Sequence, residues 1–151
     1  MELRSLKDTQ NFSKKISKKI KTGDIIFIYG EIGVGKTTFV RYLINHLETK
    51  NKIKKSDILS PTFNIVYEYE IKKIKISHYD LYRLKNRKDI LELGMFETSK
   101  KNIKIIEWPE LINPKPKSRI EIFFKYSKKI SSRKVKIISF GKSKDYRLNE
   151  I

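Results

Sequence analysis

The residues of this chain best equipped for chemistry lie at Gly30 to Thr38, which read G-E-I-G-V-G-K-T-T and fit the pattern G-x-x-x-x-G-K-T. Gly30, Gly33 and Gly35 let a backbone fold tightly enough to aim its N–H groups at phosphate oxygens. A helix beginning near Lys36 adds the positive end of its dipole to the same anion. In such a loop Lys36 reaches the β- and γ-phosphates, and the Thr37 hydroxyl ligates Mg²⁺. An ordinary glycine turn entering a helix is the plain alternative, and the flanking sequence argues against it. The stretch from Asp24 to Tyr29 is an apolar run that reads as a buried strand. Thr37 to Leu47 places Phe39, Val40, Leu43, Ile44 and Leu47 on one helical stripe. Strand, glycine-rich turn and helix is the setting a phosphate-binding P-loop requires.

A P-loop needs a carboxylate near the metal, ordinarily from the C-terminal end of a neighbouring strand. Asp80 ends the run KIKISHYD and Glu107 ends IKIIE, so either could project into the crevice where open α/β sheets bind ligands. A solvated acid at a strand end is the competing reading for each. Between them lies SPTF, Ser60 to Phe63, where Thr62 is a candidate to sense the γ-phosphate and a Ser-Pro turn is the plainer account. Trp108 reads as core or as a cover for the nucleotide. His78 alternates with strand residues and reads as a structural hydrogen-bonding group. His46 falls near the end of the P-loop helix, where positive charge suits the dipole. Two histidines and no cysteine make a zinc site improbable and exclude disulfides and iron–sulfur clusters. No Asn-Lys-x-Asp guanine motif is present, so ATP is the expected nucleotide.

These residues need elements to hold them. Ser5 to Lys21 predicts a helix with Leu6, Phe12, Ile16 and Ile20 on one side, stopped by Gly23. FNIVYEYEI and KIKISHYD predict an antiparallel hairpin turning at Lys72 and Lys73. NRKDILEL predicts a short helix ended by Gly94, and NIKIIEW a further apolar strand. RIEIFFKY and RKVKIISF read as edge strands closing the chain. The order αβαββαβββ gives an α/β fold, expected as a single P-loop NTPase domain over residues 1–151. Its sheet is expected to be mixed, mostly parallel at its centre and flanked by helices.

The 151 residues carry a formal net charge of +18, which invites a nucleic-acid reading. Yet lysine outnumbers arginine 28 to 7, isoleucine occurs 24 times and alanine is absent, the imprint of AT-rich codons. The lysines are dispersed rather than gathered beside aromatics, so charge alone assigns no function. Neither a signal peptide nor a membrane-length apolar run is recognisable, and a cytoplasmic location is expected.

GEIGVGKTTF, SPTF, HYDLYRL, ELG and IIEWPE, in this order and at these spacings, resemble the TsaE (YjeE) family over about residues 5 to 125. These are bacterial P-loop ATPases of tRNA threonylcarbamoyladenosine biosynthesis. The resemblance implies that the protein works with TsaB and TsaD, which place threonylcarbamoyl on adenosine 37 of tRNAs reading codons that begin with A. It implies ATP binding and slow hydrolysis that resets or sustains the TsaB–TsaD complex, with any tRNA contact weak or indirect and no membrane role. By the same resemblance Gly33, Val34, Gly35, Lys36, Thr37 and Thr38 hold phosphate, and Thr37 and Glu107 sit at Mg²⁺. Asp80 orients water, Thr62 belongs to a switch-like loop, and Trp108 and Thr9 lie beside the nucleotide. Two departures are visible: Phe12 and Ser13 stand where the family commonly has Leu-Gly, and Val34 replaces the alanine of GAGKT. A small-molecule kinase and a nucleotide-sensing RNA-binding module are the rival functions. Sparse arginines and the direct passage from SPTF into a hairpin speak against the first. The want of a recognisable RNA motif speaks against the second. DLYRL, Asp80 to Leu84, and the hairpin before it are the stretches expected to face a partner.

Overall fold

The computed structural model describes residues 1–97, 101–128 and 131–148. In chain order its elements are β1 (Glu2–Leu3), α1 (Leu6–Ser17), β2 (Ile25–Tyr29), α2 (Lys36–Lys50), β3 (Val66–Ile71), β4 (Ile74–Asp80), α3 (Arg87–Glu92), β5 (Ile103–Glu107), β6 (Arg119–Tyr126) and β7 (Arg133–Phe140). The strands form one sheet in the order β1-β7-β6-β2-β5-β4-β3. The pairs β4–β5, β5–β2 and β2–β6 are parallel, and β3–β4, β6–β7 and β7–β1 are antiparallel. The mixed sheet with a parallel centre and flanking helices is as expected, and so is the hairpin turning at Lys72 and Lys73.

Alternation along the strands divides the core. Ile26 and Ile28 of β2, Ile103 and Ile105 of β5, and Ile120 and Ile122 of β6 meet Phe12 and Ile16 of α1 and Phe39, Leu43 and Ile44 of α2. Phe27 and Ile106 point the other way, toward Tyr79, Ile90 of α3, Met95 and Ile112. α2 is therefore pressed onto the sheet beside the C-terminal ends of β2 and β5, which fixes where its first turn stands.

Four expectations are corrected. β6 is not an edge strand but lies between β2 and β7, and β7 is covered in turn by the two-residue β1. The buried Glu121 of β6 is compatible with that central place because Arg119 approaches it at 2.7 Å and Lys115 at 3.5 Å. α1 stops at Ser17 rather than Lys21, since the Ile16 carbonyl takes the N–H groups of Lys19 and Ile20 in a closing turn. Ile20 still reaches the core, whereas Leu6, expected on the apolar side, is exposed. At its start Ser5 caps the Asp8 N–H while Asp8 accepts from the Arg4 N–H, a reciprocal cap. His46 donates from Nε2 to the Gln10 carbonyl of α1 at 3.1 Å, and burial pushes its pKa down. It ties α2 to α1 and is not a cation at a helix end.

Candidate functional site

The turn leaving β2 is shaped by close approach. A Cβ on Gly30 would stand 2.5 Å from the Phe124 carbonyl oxygen of β6, and the φ of Gly30 is +143°. Only glycine lets the loop begin while touching β6. At the far end Gly35, φ +110°, is the N-cap of α2 and brings no capping side chain. The first-turn amides of α2 thus lack a side-chain cap, as an anion-binding helix start requires.

Lys36 is 5% exposed. Its Nζ donates to the carbonyls of Gly30 at 2.7 Å and Glu31 at 2.9 Å and lies 4.0 Å from the centroid of the Trp108 ring. Burial pushes its pKa down, against the pull of the carboxylates of Glu107, Asp80 and Glu110. The ammonium is folded back over the loop between carbonyls and an aromatic face.

Thr37 follows, one residue into α2. Its hydroxyl donates to both carboxylate oxygens of Glu107, at 3.0 Å to Oε1 and 3.1 Å to Oε2. Glu107 ends β5, and the parallel register sets Asp80, the last residue of β4, directly beside it. Strand alternation puts both acids on the α2 side of the sheet, in line with Ile105 and His78. Asp80 has its own partners: Oδ2 accepts from the hydroxyls of Thr62 at 2.6 Å and Ser60 at 3.2 Å, and Oδ1 from the Tyr82 N–H at 3.0 Å. Trp108, in left-handed backbone conformation at φ +57°, donates its N–H to the Ile28 carbonyl and tilts its ring against Tyr82.

These groups enclose a cleft of about 320 Å³ lined by Gly33, Gly35, Lys36, Thr37, Thr38, Thr62, Asp80, Glu107 and Trp108, with Ile32, Ser60 and Tyr82 completing it. Every expected site residue but two is therefore brought together. Thr9 and Val34 instead line an adjoining cleft of about 260 Å³ that shares Gly33, Gly35 and Thr38 with the first. Val34 is buried, and its N–H turns to the Glu31 carbonyl at 3.3 Å. In DLYRL, Leu81 is buried and Tyr82 half-exposed.

The donors suit a magnesium ion. Among the described residues no three His, Cys, Asp or Glu side chains gather into a metal cage. A hydroxyl and a carboxylate in contact at the mouth of a phosphate loop are what Mg²⁺ takes from a protein when phosphate and water supply its other ligands.

The profile of the family described as "Threonylcarbamoyl adenosine biosynthesis protein TsaE" matches residues 3–135. The chain belongs to the TsaE family. Among TsaE relatives, the "tRNA threonylcarbamoyladenosine biosynthesis protein TsaE" of Rickettsia prowazekii (strain Madrid E) is 43% identical over 110 residues, 73% of this chain and 74% of its own. The protein of the same name from Aquifex aeolicus (strain VF5) is 37% identical over 112 residues, 74% of this chain and 77% of its own. In fold, the crystal structure of Bacillus YdiB superposes with a TM-score of 0.75 at 22% identity, covering 99% of this chain and 90% of that one. No described helix of this TsaE chain is long and apolar enough to cross a membrane.

Sequence reasoning missed Ser60, Tyr82 and Ile32 as lining residues; it read His78 as a structural hydrogen-bonding group but did not name its partner. His78 is fully buried, and its Nε2 lies 2.9 Å from Oε1 of Glu107. The available signal was alternation: Ile76, His78 and Asp80 share one strand face, the face that carries Glu107 on the next strand.

Proposed function

We propose that this chain is the ATP-binding, slowly hydrolysing component required to form threonylcarbamoyladenosine at position 37 of tRNAs that read codons beginning with A. It acts as one domain with TsaB and TsaD in the cytoplasm. The observation that carries the reading is the Thr37 hydroxyl held against Glu107 at the start of α2, inside a loop whose lysine and amides converge on one cleft. Family membership and the names of the relatives supply the pathway.

Each residue then has a task. The amides of Gly33, Gly35, Lys36, Thr37 and Thr38 and the Lys36 ammonium stabilise phosphate charge. Binding draws Lys36 Nζ from the Gly30 and Glu31 carbonyls toward the β- and γ-phosphates. Thr37 and Glu107 would hold Mg²⁺, which when bound would neutralise charge on the β- and γ-phosphate oxygens. Asp80 orients the attacking water by accepting its hydrogen bond. Thr62, which now donates to Asp80, exchanges that partner for the γ-phosphate and so reports which nucleotide is present. Trp108 closes the cleft on the side of Lys36 and excludes water.

The test is ATP hydrolysis with Mg²⁺, measured for the purified chain alone and with TsaB–TsaD added. Slow turnover that rises with the partners is the expected result. Brisk turnover indifferent to them, or phosphorylation of a metabolite well above hydrolysis, overturns it. Any tRNA affinity of the isolated chain is expected to be weak and to vanish with added salt.

A further inference from the structure

We propose that His78 is a positioning residue for Glu107. It draws Oε1 back into the sheet, so that Oε2 and the Thr37 hydroxyl are the oxygen pair presented to the divalent cation. The inference rests on the reading that the cleft takes a magnesium nucleotide.

Three observations carry it. First, the two oxygens of Glu107 are held unequally. Oε1 accepts from His78 Nε2 at 2.9 Å and from Thr37 at 3.0 Å, whereas Oε2 accepts from Thr37 alone at 3.1 Å among the described residues. A carboxylate only accepts, so Nε2 carries the hydrogen and fixes the imidazole tautomer. Second, His78 has no other polar work. Its Nδ1 is buried without a hydrogen-bond partner, and the residues beside it in the ladder, Tyr67 on β3 and Ile105 on β5, offer it none. Leaving a buried nitrogen unpaired is unfavourable, and an apolar side chain would fill this wholly buried place without that cost. What the histidine contributes here is the single N–H aimed at Glu107. Third, the pair is dry: His78 is 0% and Glu107 1% exposed. No solvent can stand in for the lost donor, and the freed carboxylate would turn about its own side-chain torsions. Partners of this kind, one shell behind a metal ligand, orient it and are worth about 10–100-fold in metal affinity.

The chain's only tryptophan, Trp108, lines the cleft, so its fluorescence reports nucleotide binding without turnover. The experiment titrates a non-hydrolysable ATP analogue with and without Mg²⁺, and titrates Mg²⁺ onto the analogue-bound protein. The wild type is compared with His78→Gln, His78→Asn and His78→Leu, each checked for cooperative unfolding. Glutamine can place a donor where Nε2 stands, asparagine only near Nδ1, and leucine nowhere. The expected result is Mg²⁺ affinity lowered about 10–100-fold in H78L and H78N, largely restored in H78Q, with Mg²⁺-free analogue binding changed less than about twofold. If H78L does not fold, the contrast of H78Q with H78N decides alone. Wild-type Mg²⁺ affinity in H78N overturns the proposal. Equal loss in H78Q and H78N, or loss of Mg²⁺-free binding to the same degree, assigns His78 to packing and also overturns it. A wild-type protein that binds the analogue without any Mg²⁺ dependence would instead remove the magnesium reading itself, and this inference with it.

Discussion

Asp80 and Glu107 stand side by side at the ends of neighbouring parallel strands, both nearly inaccessible, yet they are held by different kinds of partner. Glu107 is gripped by α2 through Thr37 and by β4 through His78, both parts of regular elements packed into the core. Asp80 is held on one oxygen by Ser60 and Thr62, which belong to the stretch between α2 and β3 that has neither helix nor strand. The first carboxylate is built to keep its geometry. The second is held from a segment without regular structure. On the proposed reading, in which the cleft anchors a cation and registers the state of a nucleotide, it needs one of each, and burial alone would not have told them apart.

The largest effects should come from the anchored side. Glu107→Ala or Lys36→Ala should abolish turnover, and Glu107→Ala should also remove the Mg²⁺-dependent part of nucleotide binding. Turnover at the wild-type rate in either variant would undo the site assignment. Asp80→Asn should lower hydrolysis about 10²–10³-fold while leaving magnesium–nucleotide affinity within a few-fold, as read by Trp108 fluorescence beside a steady-state assay. If it lost affinity as Glu107→Ala does, the two carboxylates would not differ in kind. Thr62→Val removes the nearer of the two hydroxyl donors to Asp80 Oδ2 and should cost about tenfold in hydrolysis, with discrimination between ATP and ADP reduced in the same binding assay.

The smallest effect belongs to a third carboxylate, outside the cleft. Asp24, just before β2, accepts from the Tyr146 hydroxyl at 3.0 Å, and Tyr146 has its pKa pushed up to about 12 by burial and by Asp24 itself. Tyr146→Phe should cost about 1 kcal/mol of stability and no activity. The native chain holds the phenolic proton more tightly than the unfolded chain, so this contribution is whole below about pH 10 and fades as pH rises toward 12. Urea midpoints of the wild type should therefore fall toward those of Tyr146→Phe over that interval.

What was legible beforehand was what neighbours in sequence decide. Gly30 to Thr38 declares a loop between strand and helix because glycine, lysine and threonine each have a separate reason to be there. The hairpin shows in two β-rich runs with a turn between them. Glu107 and Asp80 were visible as acids ending apolar strands. The rest depends on pairings between distant residues. RIEIFFKY could be edge or centre until β2 is laid against it. Its buried Glu121 looks like an edge residue only while Arg119 and Lys115 are out of view. β1 is two residues long and has no pattern to read. His78 alternates as any strand residue does, and its partner lies 29 positions away on another strand. Thr9 was placed beside the nucleotide by resemblance alone, and the fold sets it in the cleft that adjoins that of Lys36 across Gly33, Gly35 and Thr38.

Gly30 leaves β2 in contact with the carbonyl of Phe124, more than half the chain further on. The phosphate loop is contiguous in sequence, but the wall it leans on is made late in synthesis, after Asp80 and Glu107 have already appeared. A growing chain therefore holds all the residues of the proposed nucleotide site before it holds the strand against which Gly30 packs. On the proposed reading, a ligand that binds only the finished form stabilises all of it, so a nucleotide held by this loop would also stabilise the docking of β6.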